Sequence, residues 1–561
     1  MGRLVGLVAF VFVAGCNGVI NEAGSEESSV GPGTVPNPAV CGSDDLQMAS
    51  IGGLRRLTPQ QYEHTVRDLL HDPQATPAID REEGGTIPSP LAVEKYNTAA
   101  EELAARESER SQSIVPCTLD GADDLGCASR FISEFGARAF RRPVAAAEQQ
   151  WLEGVYADAV ASGQAPAQAL DIVTKVILQS PQLIYIREYG EEAEGLPPGV
   201  YRLTDYERAS RLSYFLWGTM PDPELMAAAD AGRLGTAEGV RQAAARMLAD
   251  PRAEGMVEDF FADWLGLNGS ELTPTIEAAL KNGERFPEDS PALRRAMREE
   301  LRAFTQRVFF EEDASLRTLL TANYSYVNAD LAALYGVDNG LTGDEWGWVD
   351  LAPGERAGFL TQSAFLALHA GPLAQSPVNR GVFVIEDVLC HHIGMPPPNA
   401  NDNAPEGGAS SQDGEVVHLT VREELSMRTE APDCAACHTL INGIGFTFGN
   451  YDALGAYQTE HVFVEGDGTE VRLPIDATGE LVISDQSGPV DGAVELVGRV
   501  AESEDATHCY ASRWVREAFG GATTQVPDCL FDAFTESYRE TEDTRELLLS
   551  VVSSAAFLHV R

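Results

Sequence analysis

Apolar side chains along this chain recur mostly at intervals of three and four, the spacing of one helix face, and alternate only briefly as a half-buried strand would. After Arg55-Arg56-Leu57, Thr58 stands where a helix N-cap would, Pro59 suits the first helical position, and Gln61 completes a capping box. Tyr62, Val66, Leu69 and Leu70 follow on one face. Thr204 and Glu207 form a second capping box, and Leu212, Phe215 and Leu216 carry that helix towards Trp217. Residues 128–185 read as helical, with Arg141-Arg142-Pro143 opening one helix and Trp151, Val155 and Ala159 sharing a face. Residues 205–335 are dominated by Ala, Leu, Arg and Glu at helical period, and Phe260, Phe261, Trp264, Phe304 and Phe309 fall on expected core positions. An irregular connection follows over 336–355, and helices resume near 356–360 and 380–383. Pro396-Pro397-Pro398 and the polar stretch to Glu415 read as a linker. A helical run over 421–428 follows. Residues 462–481 then alternate around Gly466-Asp467-Gly468, a β-hairpin pattern, before a last helical stretch over 493–560. The pattern predicts a mainly α, multi-module protein. Its helical modules cover 49–110, 111–190 and 200–337, then a module over 350–460, a small β-hairpin insertion over 461–483 and a C-terminal helical module over 484–561.

The N-terminus adds a compartment. Met1-Gly2-Arg3 is a short positive start, residues 4–15 are apolar and small, and Val13-Ala14-Gly15-Cys16 reads as a bacterial lipobox. An apolar run this short suits a signal peptide over 1–15 rather than a permanent membrane span. Cys16 is then the expected lipidated residue and 16–48, rich in Gly, Ser, Pro, Asn and acid, a flexible tether. A plain signal peptide cleaved nearby is the competing reading. The expectation is an exported cell-envelope lipoprotein, periplasmic or on the outer membrane or cell surface, held at the membrane by its lipid anchor; Asn17 is compatible with the outer membrane.

Charge excludes one class of partner. The chain carries 86 acidic against 40 basic residues, a net charge of −46, and its only lysines are Lys95, Lys175 and Lys281. Phosphate backbones would repel it, so no nucleic-acid role is expected. The acid excess favours solubility and, secondarily, steering of a basic redox partner.

The chemistry lies in Cys434-Ala435-Ala436-Cys437-His438. Two thiols spaced by two residues can form thioethers to the two vinyl groups of one haem, and the adjacent His can take the iron as proximal ligand. One covalently attached haem c is the expected cofactor; a redox dithiol and a zinc site are the competing readings. With Cys16 assigned to lipid, Cys41, Cys117, Cys127, Cys390, Cys509 and Cys529 remain. An even remainder in an oxidising compartment suggests disulfides. Proximity pairs Cys117 with Cys127 and Cys509 with Cys529, leaving Cys41 with Cys390. His391 and His392 adjoin Cys390, but three adjacent residues cannot all face one ion. Asp433, Asp452 and Asp476 read as turn and capping residues, and no phosphate-binding Gly loop, nucleophile elbow or zinc-protease helix is present in the sequence.

Several strings together resemble a known family. They are Arg56-Leu57-Thr58 with Tyr62 and Asp68-Leu69-Leu70; Phe131-Ile132 with the run from Arg138 to Pro143; and Leu203-Thr204, the run from Leu212 to Trp217, Pro221-Asp222, Tyr326-Val327-Asn328 and Leu334-Tyr335-Gly336-Val337. Further on come the runs 356–361 and 376–381, the haem motif, Gly445-Phe446, Tyr451-Asp452 to Gly455, the run 474–477, and the stretch from Cys509 to Cys529. In this order they resemble the large exported cytochrome c-like lipoproteins of planctomycetes and myxobacteria, built from domain-of-unknown-function families 1587, 1595, 1592, 1588 and 1585. The resemblance implies a C-terminal cytochrome c-like haem module over 350–460 and leaves substrate and pathway open. The chain departs from the family in having Asn442-Gly443 where Asp-Pro is common, and Met427 near the place of a frequent histidine before the first haem cysteine.

That departure leaves the distal iron ligand open. No methionine follows Met427, so a distal Met must come from upstream, with Met427 or Met395 as candidates. Met427 is the first choice and His461 the alternative; His391, His392, His418 and His508 are further histidines, and another residue or an open site, which would permit small-ligand or peroxide chemistry, is the remaining alternative. A thioether raises the potential and a second His lowers it. The leading expectation is a mono-haem electron-transfer protein at the cell envelope. The alternatives are a haem-dependent oxidoreductase acting on an extracellular polymer or organic substrate, and a cell-surface scaffold.

Overall fold

In the computed structural model the described residues are 52–79, 87–109, 114–119, 121, 124–269, 274–338, 340–394, 408–412, 415–465, 467–520 and 528–561. The expected signal peptide, Cys16, the tether, Cys41, Met395, the three prolines at 396–398 and Gly466 lie outside them.

The fold is mainly helical, with six two-stranded antiparallel sheets among the described residues. Both capping boxes form as the sequence suggests. Thr58 Oγ1 accepts from the Gln61 amide (3.1 Å) while Gln61 Oε1 accepts from the Thr58 amide (3.2 Å). Thr204 and Glu207 repeat the exchange. Such a cap contributes about 1 kcal/mol and fixes where each helix starts.

The helices gather around two hydrophobic cores. The first is built from residues between Leu57 and Ile186, joined by Tyr214 and Met220, so residues of the first two expected modules share it with two from the third. The second runs from Ala209 to Leu558 and includes Phe260, Phe261, Trp264, Phe304 and Phe309, all buried as expected. Phe260 and Trp514 stack with ring centroids 3.6 Å apart, so the large helical region and the C-terminal helices form a single apolar interior.

Each core is closed by a strand pair that brings distant sequence together. Gly53–Arg56 pairs with Tyr185–Glu188 around the first, and Tyr201–Arg202 pairs with His559–Val560 around the second. Buried arginines lock the second closure. Arg208 donates to the carbonyls of Leu234 (2.7 Å) and Leu558 (3.4 Å). Arg211 donates to the Phe557 carbonyl (2.6 Å) and ion-pairs with Glu188 (2.7 Å), reaching from the second core into the first.

The structure differs from the sequence reading in five places. Arg141, with a positive φ of 56°, follows the helix Asp124–Phe140 instead of opening the next one, and its guanidinium donates to the carbonyls of Gln182, Leu183 and Tyr185. Trp151 is 59% exposed, because the buried face of Ala146–Ala161 is set by Leu152, Tyr156 and Ala159. The connection over 336–355 contains the strand Trp346–Asp350, which pairs with Tyr324–Asn328 through stacked aromatics such as Tyr326 on Trp346. The end of the expected linker forms a hairpin, Gly408–Gln412 with Glu415–Leu419. The single hairpin expected over 461–483 is two: Glu460–Val464 pairs with Glu470–Pro474, and Thr478–Leu481 pairs with Gly488–Asp491.

The disulfides also differ. Cys117 bridges to Cys127, but Cys509 bridges to Cys390 and not to Cys529. Proximity in sequence fails here because Cys509 lies on the face of Glu504–Ala518 turned towards residues 384–390, where its sulfur also meets the Asp387 carbonyl (3.5 Å). Cys390 is therefore not left over for Cys41.

A buried carboxyl joins the large helical region to the segment that follows. Glu300 accepts from Ser325 (2.6 Å) and Tyr335 (2.8 Å), and the Arg356 guanidinium lies 3.9 Å from the centre of the Tyr335 ring. Burial pushes the Glu300 carboxyl up to about 7 from an ordinary 4.5. A raised folded-state pKa gives stability that is fully present below the unfolded value and lost as pH rises through the folded one. Unfolding free energies measured across that window should therefore fall with pH more steeply in the parent than in Glu300→Gln, by on the order of 3 kcal/mol in total.

Candidate functional site

The motif lies on the helix Pro432–Gly445, with Pro432 at its first position where a missing amide hydrogen is tolerated. Cys434 and Cys437 sit one turn apart and both are exposed; His438 is half-buried on the following position. Ile441 and Ile444 are buried and anchor the helix to the second core.

Two backbone contacts hold this helix. Against Pro377–Phe383, a Cβ on Gly381 would lie 2.4 Å from the Ile441 carbonyl oxygen, and one on Gly445 only 2.1 Å from that of Pro377. On the hairpin side, a Cβ on Gly443 would lie 2.7 Å from the Glu480 oxygen and one on Gly479 2.1 Å from that of Gly443. Only hydrogen fits at these four positions, so the helix is clamped at van der Waals distance on both sides. The buried Arg380 ties down the segment that leaves it, donating to Gln375 Oε1 (3.2 Å) and to the carbonyls of Leu366, Phe448, Tyr451 and Asp452.

A groove of about 740 Å³ opens beside His438, lined by Arg422, Met427, Thr429, Asn442 and Phe446 and by the hairpin at 478–480. A chain of hydrogen bonds crosses its floor. Thr429 Oγ1 donates to the Leu425 carbonyl (2.8 Å), Asn442 Nδ2 donates to Thr429 Oγ1 (3.1 Å), and Asn442 Oδ1 lies 3.1 Å from His438 Nδ1. Its direction is set at the far end. A carbonyl only accepts, so Thr429 spends its proton there and must accept from Asn442. The amide then turns its oxygen to His438, which must donate from Nδ1. Nε2 keeps its lone pair.

Met427, at the end of Val421–Arg428, is 57% exposed and shares this groove with His438. His461 does not. It lines a separate cavity of about 10 Å³, and Arg422 and Phe446, which border both spaces, stand between them. The Arg422 guanidinium lies 4.5 Å from the Phe446 ring centre and donates to the carbonyls of Asp476 (3.2 Å) and Thr478 (2.5 Å). Burial, reinforced by Arg285, pushes the His461 pKa down.

The other histidines are held elsewhere. His418 bonds Glu465 and stacks on Phe463, and His508 lies 3.1 Å from Thr535 Oγ1. His391 turns to Asp505 (3.2 Å) and His392 to Glu386 (3.4 Å), so these neighbours diverge. Asp452 accepts from the Leu454 and Ala456 amides and Asp476 from Thr478, as turn residues do. The side chain of Asp433 lies outside the described residues. Among the described residues no three His, Cys, Asp or Glu side chains converge to hold a metal ion.

Sequence reasoning missed Asn442, Thr429 and the Gly443–Gly479 contact. The one available signal was the departure Asn442-Gly443 itself. It also missed a larger cleft of about 1130 Å³ where the two cores meet, bordered by Arg55, His64, Asp259, Asp263 and Glu517. Burial pushes the Asp259 and Glu517 carboxyls up, with Asp263 adding to both.

Three family models match the chain. Residues 127–188 match PSD5, a protein of unknown function (DUF1595); residues 203–337 match PSD4, a protein of unknown function (DUF1592); and residues 356–461 match PSCyt3, a protein of unknown function (DUF1588). The chain thus carries these three domains in this order, and the third contains the motif helix and the helix it packs against. No curated protein and no solved structure matches the chain.

The exposure of the motif thiols can be checked directly. Iodoacetamide applied to native protein without haem should label Cys434 and Cys437, while Cys117, Cys127, Cys390 and Cys509 stay unlabelled until reduction. Peptide mass spectrometry reads the sites, and protection of Cys434 or Cys437 would contradict the arrangement.

Proposed function

We propose that this chain is an exported, lipid-tethered protein carrying one covalently attached haem, and that it transfers electrons at the bacterial cell envelope. The observation that carries the reading is the motif helix. One turn presents two exposed thiols and, next to them, an imidazole whose Nε2 lone pair is fixed by hydrogen bonding at Nδ1. The groove beside it is of a size that holds small cofactors, roughly 300–1,000 Å³.

Cys434 and Cys437 would hold the haem as thioethers and His438 Nε2 would take the iron, with Met427 as the candidate distal ligand. The haem supplies reversible one-electron chemistry when bound. The chain's own part is to fix the helix by glycine contacts, orient His438 through Asn442, and wall the groove with the Arg422–Phe446 pair. Export and lipidation rest on the run ending at Cys16, and among the described residues no helix is long and apolar enough to cross a membrane. The net charge of −46 favours a basic redox partner.

A haem-dependent oxidoreductase is the second reading, favoured by the 1130 Å³ cleft with its Asp259 and Glu517 carboxyls. Visible spectra of protein exported with haem-maturation machinery separate the two. Under the first reading the reduced bands are sharp and resist carbon monoxide, haem stays on the chain in denaturing gels, and Cys434→Ala with Cys437→Ala abolishes it. Met427→Ala should then admit carbon monoxide, whereas His461→Ala should not. Rapid carbon monoxide binding by the parent would favour the oxidoreductase, and a parent without covalent haem would sink both.

A further inference from the structure

We propose that Asn442 and Thr429 are positioning residues that select the tautomer of His438 and thereby tune the potential of the haem it holds. The inference rests on the haem reading above and adds to it two residues that the motif does not contain. Asn442 is 9% exposed, on the turn after His438. A buried primary amide needs its partners, and here it has one on each side: His438 Nδ1 at 3.1 Å and Thr429 Oγ1 at 3.1 Å.

An amide is symmetric in shape but not in polarity. Left alone, Asn442 could turn its NH₂ group to His438, which would make Nδ1 the acceptor and put the imidazole proton on Nε2, where it competes with a metal. Thr429 prevents this, because its own proton is taken by the Leu425 carbonyl at 2.8 Å and it can only accept from Asn442. Thr429 ends the helix that carries Met427. The polarity of one wall of the groove therefore sets the ligand nitrogen of the other.

The same bond sets basicity. An acceptor at Nδ1–H raises the donor strength of Nε2 towards a metal, more so when the acceptor is charged. A neutral amide places this chain between an ionised partner and none.

Two readouts test the proposal. In haem-free protein carrying Cys434→Ala and Cys437→Ala, nitrogen-15 NMR of labelled histidine should show His438 protonated at Nδ1. Asn442→Leu and Thr429→Val should move population to the Nε2–H form, and Thr429→Ser, which keeps the hydroxyl, should restore the parent pattern. In haem-loaded protein, Asn442→Asp should shift the reduction equilibrium towards the oxidised state by about tenfold, some 59 mV lower for one electron. Asn442→Leu should shift it the other way. A tautomer unmoved by Asn442→Leu, or an Asn442→Asp potential at or above the parent's, would overturn the proposal while leaving the haem reading intact. A parent that takes up no haem fails the haem reading instead, and the tautomer measurement still decides whether the hydrogen-bond chain has the stated direction.

Discussion

Close approach of two backbones, with no side chain between them, governs this structure's candidate site. Where Gly381 and Gly445 bring Pro377–Phe383 against Pro432–Gly445, the distance between helix axes is set by main-chain atoms, which have almost no freedom to adjust. The second contact, Gly443 against the hairpin at Gly479, pins the same helix from another direction. A helix held this way cannot roll, so the direction in which Cys434, Cys437 and His438 point is decided by residues that touch none of them. Arg380 extends the hold by satisfying the carbonyls of the segment that follows, the work a buried guanidinium does well because it offers five donors in a fixed plane.

What the sequence made legible follows from the range of the interactions involved. Capping boxes are local, so Thr58 and Thr204 could be read at sight. The motif is a string of five adjacent residues and so could be found by eye; the structure sets it on the helix Pro432–Gly445. The aromatic core of residues 260–309 obeyed helical period. Three of the misreadings involve partners distant in sequence. Cys509 chose Cys390 because of how Glu504–Ala518 faces residues 384–390, which no spacing rule contains. Trp346–Asp350 is a strand only because Tyr324–Asn328 lies beside it. Arg141 looked like a helix start, yet a left-handed backbone at that residue serves carbonyls some forty positions later.

The site itself divides the same way. His438 was legible, and its neighbours in the groove were not. Asn442 and Thr429 are thirteen residues apart and on different helices, and neither belongs to any pattern. In sequence Met427 was the first choice and His461 the alternative, with no geometry to part them. The stacked Arg422 and Phe446 separate them, a packing detail visible only in three dimensions.

The strand pairings at the ends of the two cores bear on how this chain acquires its shape. Tyr201–Arg202 waits for His559–Val560, and the amide of Gly52 bonds the carbonyl of Arg561. Contacts of such long sequence separation form late, since a large loop must close before they repay its entropy. A chain emerging from its N-terminus therefore presents Cys434 and Cys437 before the strand Thr478–Leu481 that clamps their helix exists, and well before His559–Val560 seals the second core. The helix that carries the two thiols therefore stands unclamped on its hairpin side for an interval, and its final orientation is a late product of folding.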